Sequence, residues 1–256
     1  MAIVTPAAAR RPRAYVRVQG TDAVDYLNRM LSNDVPESGS VDALLLTPKA
    51  RVIAPVLVWR RGDDDVLLLT EPELGEPLLS QLTRMRFAAK CEIAAEEHTS
   101  TIVFGGAEGI PNDEYGVLAR EVLDGELEPT IAPDELERMR IEAGTPRYGY
   151  ELDDRVLPAE AGLDKTHISF TKGCYPGQEP IARLHYRGHV NRQLRVLAVE
   201  AASPGDEIEY QGKPVGRVTS AVPGVALAYV RNEVPDDAEL SVGGATARLH
   251  LAPARP

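Results

Sequence analysis

Cys174 is the side chain in this sequence best placed to do chemistry. It lies in Lys172-Gly173-Cys174-Tyr175-Pro176-Gly177-Gln178-Glu179. Glycine permits positive φ and proline fixes its own near about −65°, so this composition specifies a tight turn. A helix opening at Pro176 or Gly177 would run through Glu179, Ile181, Ala182 and Leu184, and Pro180 fits it only within a first turn whose N–H groups lack intrahelical partners. A thiol just ahead of that N-terminus faces partial positive charge and unpaired amides. Lys172 and Arg183 could add more, and the thiolate would be favoured. A small buried hydrophobe is the other common fate of a free cysteine, and spacing alone leaves both readings open. His167, His185 and His189 offer a base for a cysteine hydrolase, but their closeness in sequence does not establish closeness in space. Cys91 sits in an apolar strand without a partner motif and reads as a core thiol, and Asp63 to Asp65 read as a solvated turn.

The elements that must position Cys174 follow from periodicity. Residues 1 to 13, rich in Ala, Arg and Pro, read as a disordered lead-in. Tyr15 to Val18 alternates as a strand, and Thr21 or Asp22 can cap a helix carrying Val24, Leu27, Met30 and Leu31. Val41 to Thr47 and Val52 to Arg60 form a hairpin around Pro48 to Arg51, and Val66 to Thr70 gives another strand. Glu71 to Arg84 is helical with Pro72 in its first turn, and Cys91 to Ala94 and Thr101 to Phe104 are strands. A loop is expected around Pro111-Asn112. Pro133 to Ile141 is a helix ended by Gly144, and a Gly- and Pro-dense rim runs from there to the cysteine turn. Short strands at 194–199, 207–210, 214–219, 225–230 and 245–251, separated by glycine turns, indicate a small barrel beginning near residue 190. The fold class is α+β.

With 256 residues and 43% apolar content, two or three compact units are expected. A net charge of −11 argues against a nucleic-acid surface, although Arg183, Arg187, Arg192 and Arg195 form a local basic series. Two cysteines far apart in sequence indicate neither a disulfide framework nor a metal site, and a reducing cytoplasm is the default. The N-terminus does not read as a signal peptide, and no stretch approaches the ~20 apolar residues of a membrane span.

The octapeptide from Lys172 to Glu179, with Arg183 following, resembles the K-G-C-Y-x-G-Q-E signature of the YgfZ-type family, folate-binding proteins related to the glycine-cleavage T-protein, an aminomethyltransferase. Gln19 to Asp22, Ser32 to Val35, the R-x-E-A-G of Arg140 to Gly144 and the P-x-E-x-G-L of Pro158 to Leu163 are also family-like. The resemblance implies a bacterial cytoplasmic protein built as a three-subdomain ring around a folate cavity. Its expected parts are residues 1–45 with 136–190 as a discontinuous folate-binding domain, 46–135 as a ferredoxin-like α+β domain, and 191–256 as a small β-barrel.

The resemblance also implies tetrahydrofolate as cofactor and a role in iron–sulfur cluster assembly or repair, with assembly factors or client enzymes as partners and neither nucleic acid nor membrane. Cys174 inherits the functional thiol, set in Lys172, Gly173, Tyr175, Gly177, Gln178, Glu179 and Arg183. Glu142 matches the T-protein glutamate that pairs with the pterin amine and N–H. Tyr148 is a second folate-binding candidate, as a stacking face, with Tyr150 the weaker choice. The alternative is a folate-dependent one-carbon (aminomethyl) transferase. Against it, the acidic stretch of T-protein falls on Ala50 to Trp59 and puts Ala54 and Pro55 where its acids would be. Neither residue handles a proton.

Overall fold

A computed structural model describes residues 7–250 of the chain. β1 (Ala7–Arg10) and β2 (Ala14–Gln19) lead into α1 (Ala23–Met30), and β3 (Gly39–Leu46), β4 (Val52–Gly62) and β5 (Asp65–Thr70) follow. After α2 (Gly75–Met85) and β6 (Glu92–Glu96), an antiparallel five-stranded sheet is complete in the order β3-β4-β5-β2-β6. Leu27, Leu78 and Leu82 from the two helices, with Leu31 just past α1, bury against Val16, Val18, Leu45, Val56 and Leu68 on one face. Leu57, Leu67 and Leu69 are buried on the other. Both faces are covered, which is why β5 reads as a continuous apolar run instead of alternating. Asp22 stands ahead of α1 but does not cap it, because its Oδ2 accepts the Lys90 N–H at 2.8 Å. Cys91 lies in this core just before β6, and burial raises its thiol pKa.

β7 (Ser100–Phe104), β8 (Ile110–Asn112) and β9 (Ala119–Leu123) form a second sheet in the order β1-β7-β9-β8, covered by α3 (Pro133–Glu142). This corrects the expectation of a disordered start, of which residues 1–6 lie outside the described residues. Ala8 and Ala9 are buried, and Ala9 pairs with Ile102. An alanine run carries little strand propensity, so only the partner strand reveals it. Just past β1, Arg11 reaches Glu71 through two bonds of 2.9 and 2.7 Å and Glu114 at 3.1 Å. Arg13 reaches Glu121 and Glu114, the latter at 2.6 Å. Burial pushes the Glu114 carboxyl up, yet the two guanidiniums outweigh it and hold that carboxyl well below the usual range.

α4 (Gln178–Arg187) precedes the last unit, made of β10 (Arg192–Val199), β11 (Glu207–Tyr210), β12 (Lys213–Val222), β13 (Gly224–Arg231), β14 (Glu239–Val242) and β15 (Ala245–His250). These close into a barrel ordered β10-β13-β12-β11-β14-β15, with β15 returning to β10 at Val196↔His250. The barrel packs on α3 through Ile141, Val196, Val225 and Leu227. Buried Arg140 bonds Glu151 at 3.0 Å and Ser220 of β12 at 2.9 Å. The expected division at residue 45/46 needs correction, because Leu45 pairs with Ala54 inside one hairpin. Residues 14–96 share one sheet, and β1 leaves the first segment to join β7.

His98 ties the two sheets together: Nε2 lies 2.9 Å from Glu96 at the end of β6, and Nδ1 2.7 Å from Asp124 beyond β9. Both bonds form only if both ring nitrogens carry hydrogen. Burial works against that charge, but Asp124 and then Glu96 outweigh it and raise the imidazole pKa. A raised folded-state pKa means stability fully present below the unfolded value of about 6.5 and lost as pH rises through the folded value. We expect His98→Asn to lower the melting temperature more at pH 6 than at pH 9.5, as read by thermal unfolding. Equal losses at both pH values would contradict this.

Candidate functional site

The Lys172–Glu179 turn is fastened on both sides of its cysteine. The Lys172 ammonium donates to the carbonyls of Leu31 at 2.9 Å and Asn33 at 2.6 Å, just beyond the C-terminus of α1, where backbone oxygens lack helical partners. Burial brings its pKa down to about 8, against a smaller opposing pull from Asp34. Its two donated bonds go to backbone carbonyls of the first sheet's helix end. Its ammonium also stands 5.6 Å from the Tyr175 ring centre. Tyr175 is buried among Leu44, Leu46, Ala50, Val52 and Ile181, and burial raises its phenol pKa to about 12.

Gly177 completes the anchor. Its φ is +83°, and a Cβ there would lie 2.6 Å from the Thr47 carbonyl oxygen and 3.1 Å from the Ala50 Cα. Only glycine meets both demands. Gly173 is different, with nothing within 4 Å of where a Cβ would stand. α4 starts immediately after Gly177, with Gln178, Glu179 and Pro180 in its first turn, where a missing N–H costs nothing. Cys174 is left exposed, between the exposed Gly173 and the buried Tyr175. Among the described residues no hydrogen bond joins its thiol to a histidine, and no three His, Cys, Asp or Glu side chains converge as metal ligands.

α4 also forms the wall of a cleft of about 850 Å³, closed by the one-turn 3₁₀ helices Pro158–Ala161 and Leu163–Lys165 and by Gln193, Leu194 and Asn232 of the barrel side. Phe170 and His185 stack here with ring centres 3.8 Å apart. Glu179 and Arg183 line the cleft, as do Asp164 and Arg187; Cys174 does not. Glu160 is engaged, its Oε1 taking the Arg192 Nε–H at 2.9 Å and its Oε2 the Leu157 N–H at 2.9 Å. The sequence marks pieces of this cleft, in the Gly- and Pro-dense rim and in Glu179, Arg183 and Arg187, but not their assembly, because its walls come from separated stretches at Ala50, 157–170, 179–194 and Asn232.

A second, central gap lies where the two sheets meet the segment after α3. Arg11, Arg13, Glu71, Glu114, Arg147 and His167 are among its lining residues, and about 50 Å³ remains open. Pro55 faces this gap with its carbonyl taking the Thr70 hydroxyl at 2.7 Å, and Ala54 is buried in the first core. Glu142 lines neither space: it is half exposed at the end of α3 and lies 3.5 Å from Arg138. Tyr148 packs against the two neighbouring cores, and Tyr150 is exposed. The structure therefore does not gather Glu142, Tyr148 and Cys174 into one pocket.

Residues 191–256 match the C-terminal β-barrel domain of CAF17. The chain is 29% identical over 229 residues to an uncharacterised protein of Haemophilus influenzae, covering 81% of each. It is 25% identical over 242 residues to the tRNA-modifying protein YgfZ of Pectobacterium atrosepticum, covering 77% of this chain and 72% of that one. Its fold matches the glycine cleavage system aminomethyltransferase T of Bartonella henselae with a TM-score of 0.83 at 17% identity, covering 97% of this chain and 86% of that one.

Gly177→Ala places a methyl group against the β3–β4 turn and forces alanine into left-handed backbone. We expect a loss of about 2–4 kcal/mol in a denaturant titration, from conformation and overpacking together. Gly173→Ala, with open space around it, is expected to cost under about 1 kcal/mol. Similar losses for the two would contradict the anchor assigned to Gly177.

Proposed function

From the premise that this chain is a YgfZ-type protein related to the T-protein aminomethyltransferases, we propose that it binds tetrahydrofolate. We further propose that it supports the assembly or repair of iron–sulfur enzymes, those of tRNA modification included, through the thiol of Cys174. The observation that carries this reading is the exposure of Cys174 between side chains that are pinned. Lys172, Tyr175 and Gly177 fix the backbone on either side, so the thiol is offered to a partner without a search over turn conformations. One cysteine supplies one of the four thiolates that a cluster commonly takes. The cargo would therefore keep its other ligands on a partner while Cys174 engages in passing.

The residues present have room for a folate. A cleft of about 850 Å³ falls within the ~300–1,000 Å³ typical of small-molecule sites, whereas the central gap of about 50 Å³ does not. When bound, tetrahydrofolate supplies a reduced pterin that carries one-carbon units. Aminomethyl transfer is not part of this reading, since Pro55 contributes a prolyl ring and a hydrogen-bonded carbonyl to the centre and no proton donor or acceptor side chain. A cysteine hydrolase is disfavoured for want of a histidine bonded to the thiol.

Cys174→Ser tests the role of the thiol. The site is exposed and the change small, so stability is expected to move by no more than about 0.5 kcal/mol. Serine cannot provide a thiolate at neutral pH. Activities of iron–sulfur enzymes in cells carrying only this variant are expected to fall to those of a deletion strain. Full restoration by a normally folded Cys174→Ser protein would contradict the proposal.

A further inference from the structure

We infer that the loop after α2, with Phe87 at its apex, docks a protein partner that offers an apolar pocket rimmed by carboxylates, and that the same partner meets Cys174. The second half of the inference rests on the proposed engagement of Cys174 with a partner.

Phe87 is 82% exposed, more than any other large apolar side chain among the described residues. Its φ is +46°, and the other non-glycine residues described with positive φ are Ala50, Asp124 and Gln211. Left-handed backbone is costly for a bulky side chain and persists only where the surrounding structure enforces it. Here it is enforced from both arms of the loop. Arg86 donates from Nη1 to the Cys91 carbonyl at 3.0 Å, which closes the loop across its base, and the Ala89 N–H bonds the Arg86 carbonyl at 3.0 Å. The returning arm is tied to the start of α1, where the Lys90 N–H donates to the Asp22 carboxylate at 2.8 Å. It also presses on Gly20, where a Cβ would lie 2.4 Å from the Lys90 carbonyl oxygen. The ring is thus held out to solvent by a loop that has little freedom of its own.

A preorganised aromatic side chain suits the buried centre of an interface, because its area is large and little conformational freedom is left to lose. The flanking residues set the partner's chemistry. Residues 77–91 contain no acid, and Arg84, Arg86 and Lys90 are all exposed. Arg86 is used within the loop, so Arg84 and Lys90 supply a cationic rim that carboxylates around a pocket would complement. A membrane surface is a poorer match. One ring inserts little apolar area, and its apolar neighbours Met85 and Ala89 are packed against the first core.

The loop and the cysteine turn are fastened to opposite ends of one helix. Lys90 is held at Asp22, ahead of α1, and Lys172 bonds Leu31 and Asn33 just beyond its other end. At about 1.5 Å per residue the helix is about 12 Å long. A standard interface of about 800 Å² per partner spans that separation.

Variants carried as the only copy in cells test this, with iron–sulfur enzyme activities as the readout. Phe87→Gly is expected to lower them about fivefold or more, Phe87→Trp to keep them, and Arg84→Ser with Lys90→Ser to lower them about 2- to 5-fold. Purified Phe87→Gly should melt no lower than the unmodified chain, because glycine relieves the left-handed backbone, and its Cys174 should react with iodoacetamide at the unmodified rate. p-Benzoylphenylalanine placed at position 87, and separately at the exposed Thr171 beside the cysteine turn, is expected to cross-link one and the same protein, at position 87 through an acid-rich peptide. Cross-links from position 87 to lipid, to a second copy of this chain, to a protein other than the one reached from Thr171, or to nothing would overturn the inference. A lowered melting temperature in Phe87→Gly would do the same. Activity lost in Cys174→Ser but kept in Phe87→Gly overturns this inference alone. Activity lost in Phe87→Gly but kept in Cys174→Ser overturns the thiol reading and, with it, the second half of the inference.

Discussion

Gly177 lies so close to the turn joining β3 and β4 that backbone meets backbone, and the arrangement of the functional face depends on that approach. A side chain at this position would collide with the Thr47 carbonyl, so the start of α4 can be seated here only without one. The opposing turn is shaped to match: Ala50 itself adopts φ +59°, and its side chain is buried beside Tyr175. From this contact α4 takes its position and with it one wall of the cleft, while the residues just before it carry Cys174 outward. The first sheet therefore sets the position of a helix far away in sequence.

A second constraint acts at the centre of the molecule. Arg11, Arg13, Glu71, Glu114 and Glu121 converge where the first sheet meets the second, and Arg140, Glu137, Glu151 and Ser220 repeat the pattern between α3 and the barrel. Desolvating such ions costs several kcal/mol each, and their pairing about offsets it, so these clusters contribute little net stability. Each group nevertheless needs its partner, because removing one would strand a buried charge. They fix how the three parts sit against one another and fill the central gap with protein atoms.

Much of this was legible in the sequence because it rests on local rules. The hairpin around Pro48 to Arg51, the late start of α4 ahead of Pro180 and the run of barrel strands follow from periodicity and turn chemistry, as does α2, although Pro72 lies in a separate 3₁₀ turn, Pro72–Leu74, and the α-helix begins only at Gly75. The family resemblance rests chiefly on the octapeptide Lys172 to Glu179, with shorter family-like stretches such as Arg140 to Gly144 and Pro158 to Leu163 beside it. What was not legible depended on partners remote in sequence. β1 is an alanine run that becomes a strand only against β7, and Lys172 finds carbonyls more than a hundred residues earlier. Asp164, Phe170, His185 and Arg187 line one cleft only because separated stretches of the chain, with Ala50 and Asn232 among them, fold together. Glu142 shows the converse: a motif match at the end of α3 placed a carboxylate beside Arg138 on the surface, not in a cavity.

Everything proposed for the thiol requires that Cys174 be held out to solvent by a turn anchored at the buried Tyr175 and Gly177, while Cys91 is enclosed by the first core. Alkylating the native protein with iodoacetamide and following both sites by peptide mass spectrometry tests this most directly. Cys174 should be modified under native conditions, with Cys91 reacting only when the chain is unfolded by denaturant. Protection of Cys174 in the native state, or modification of both cysteines at one rate, would contradict it.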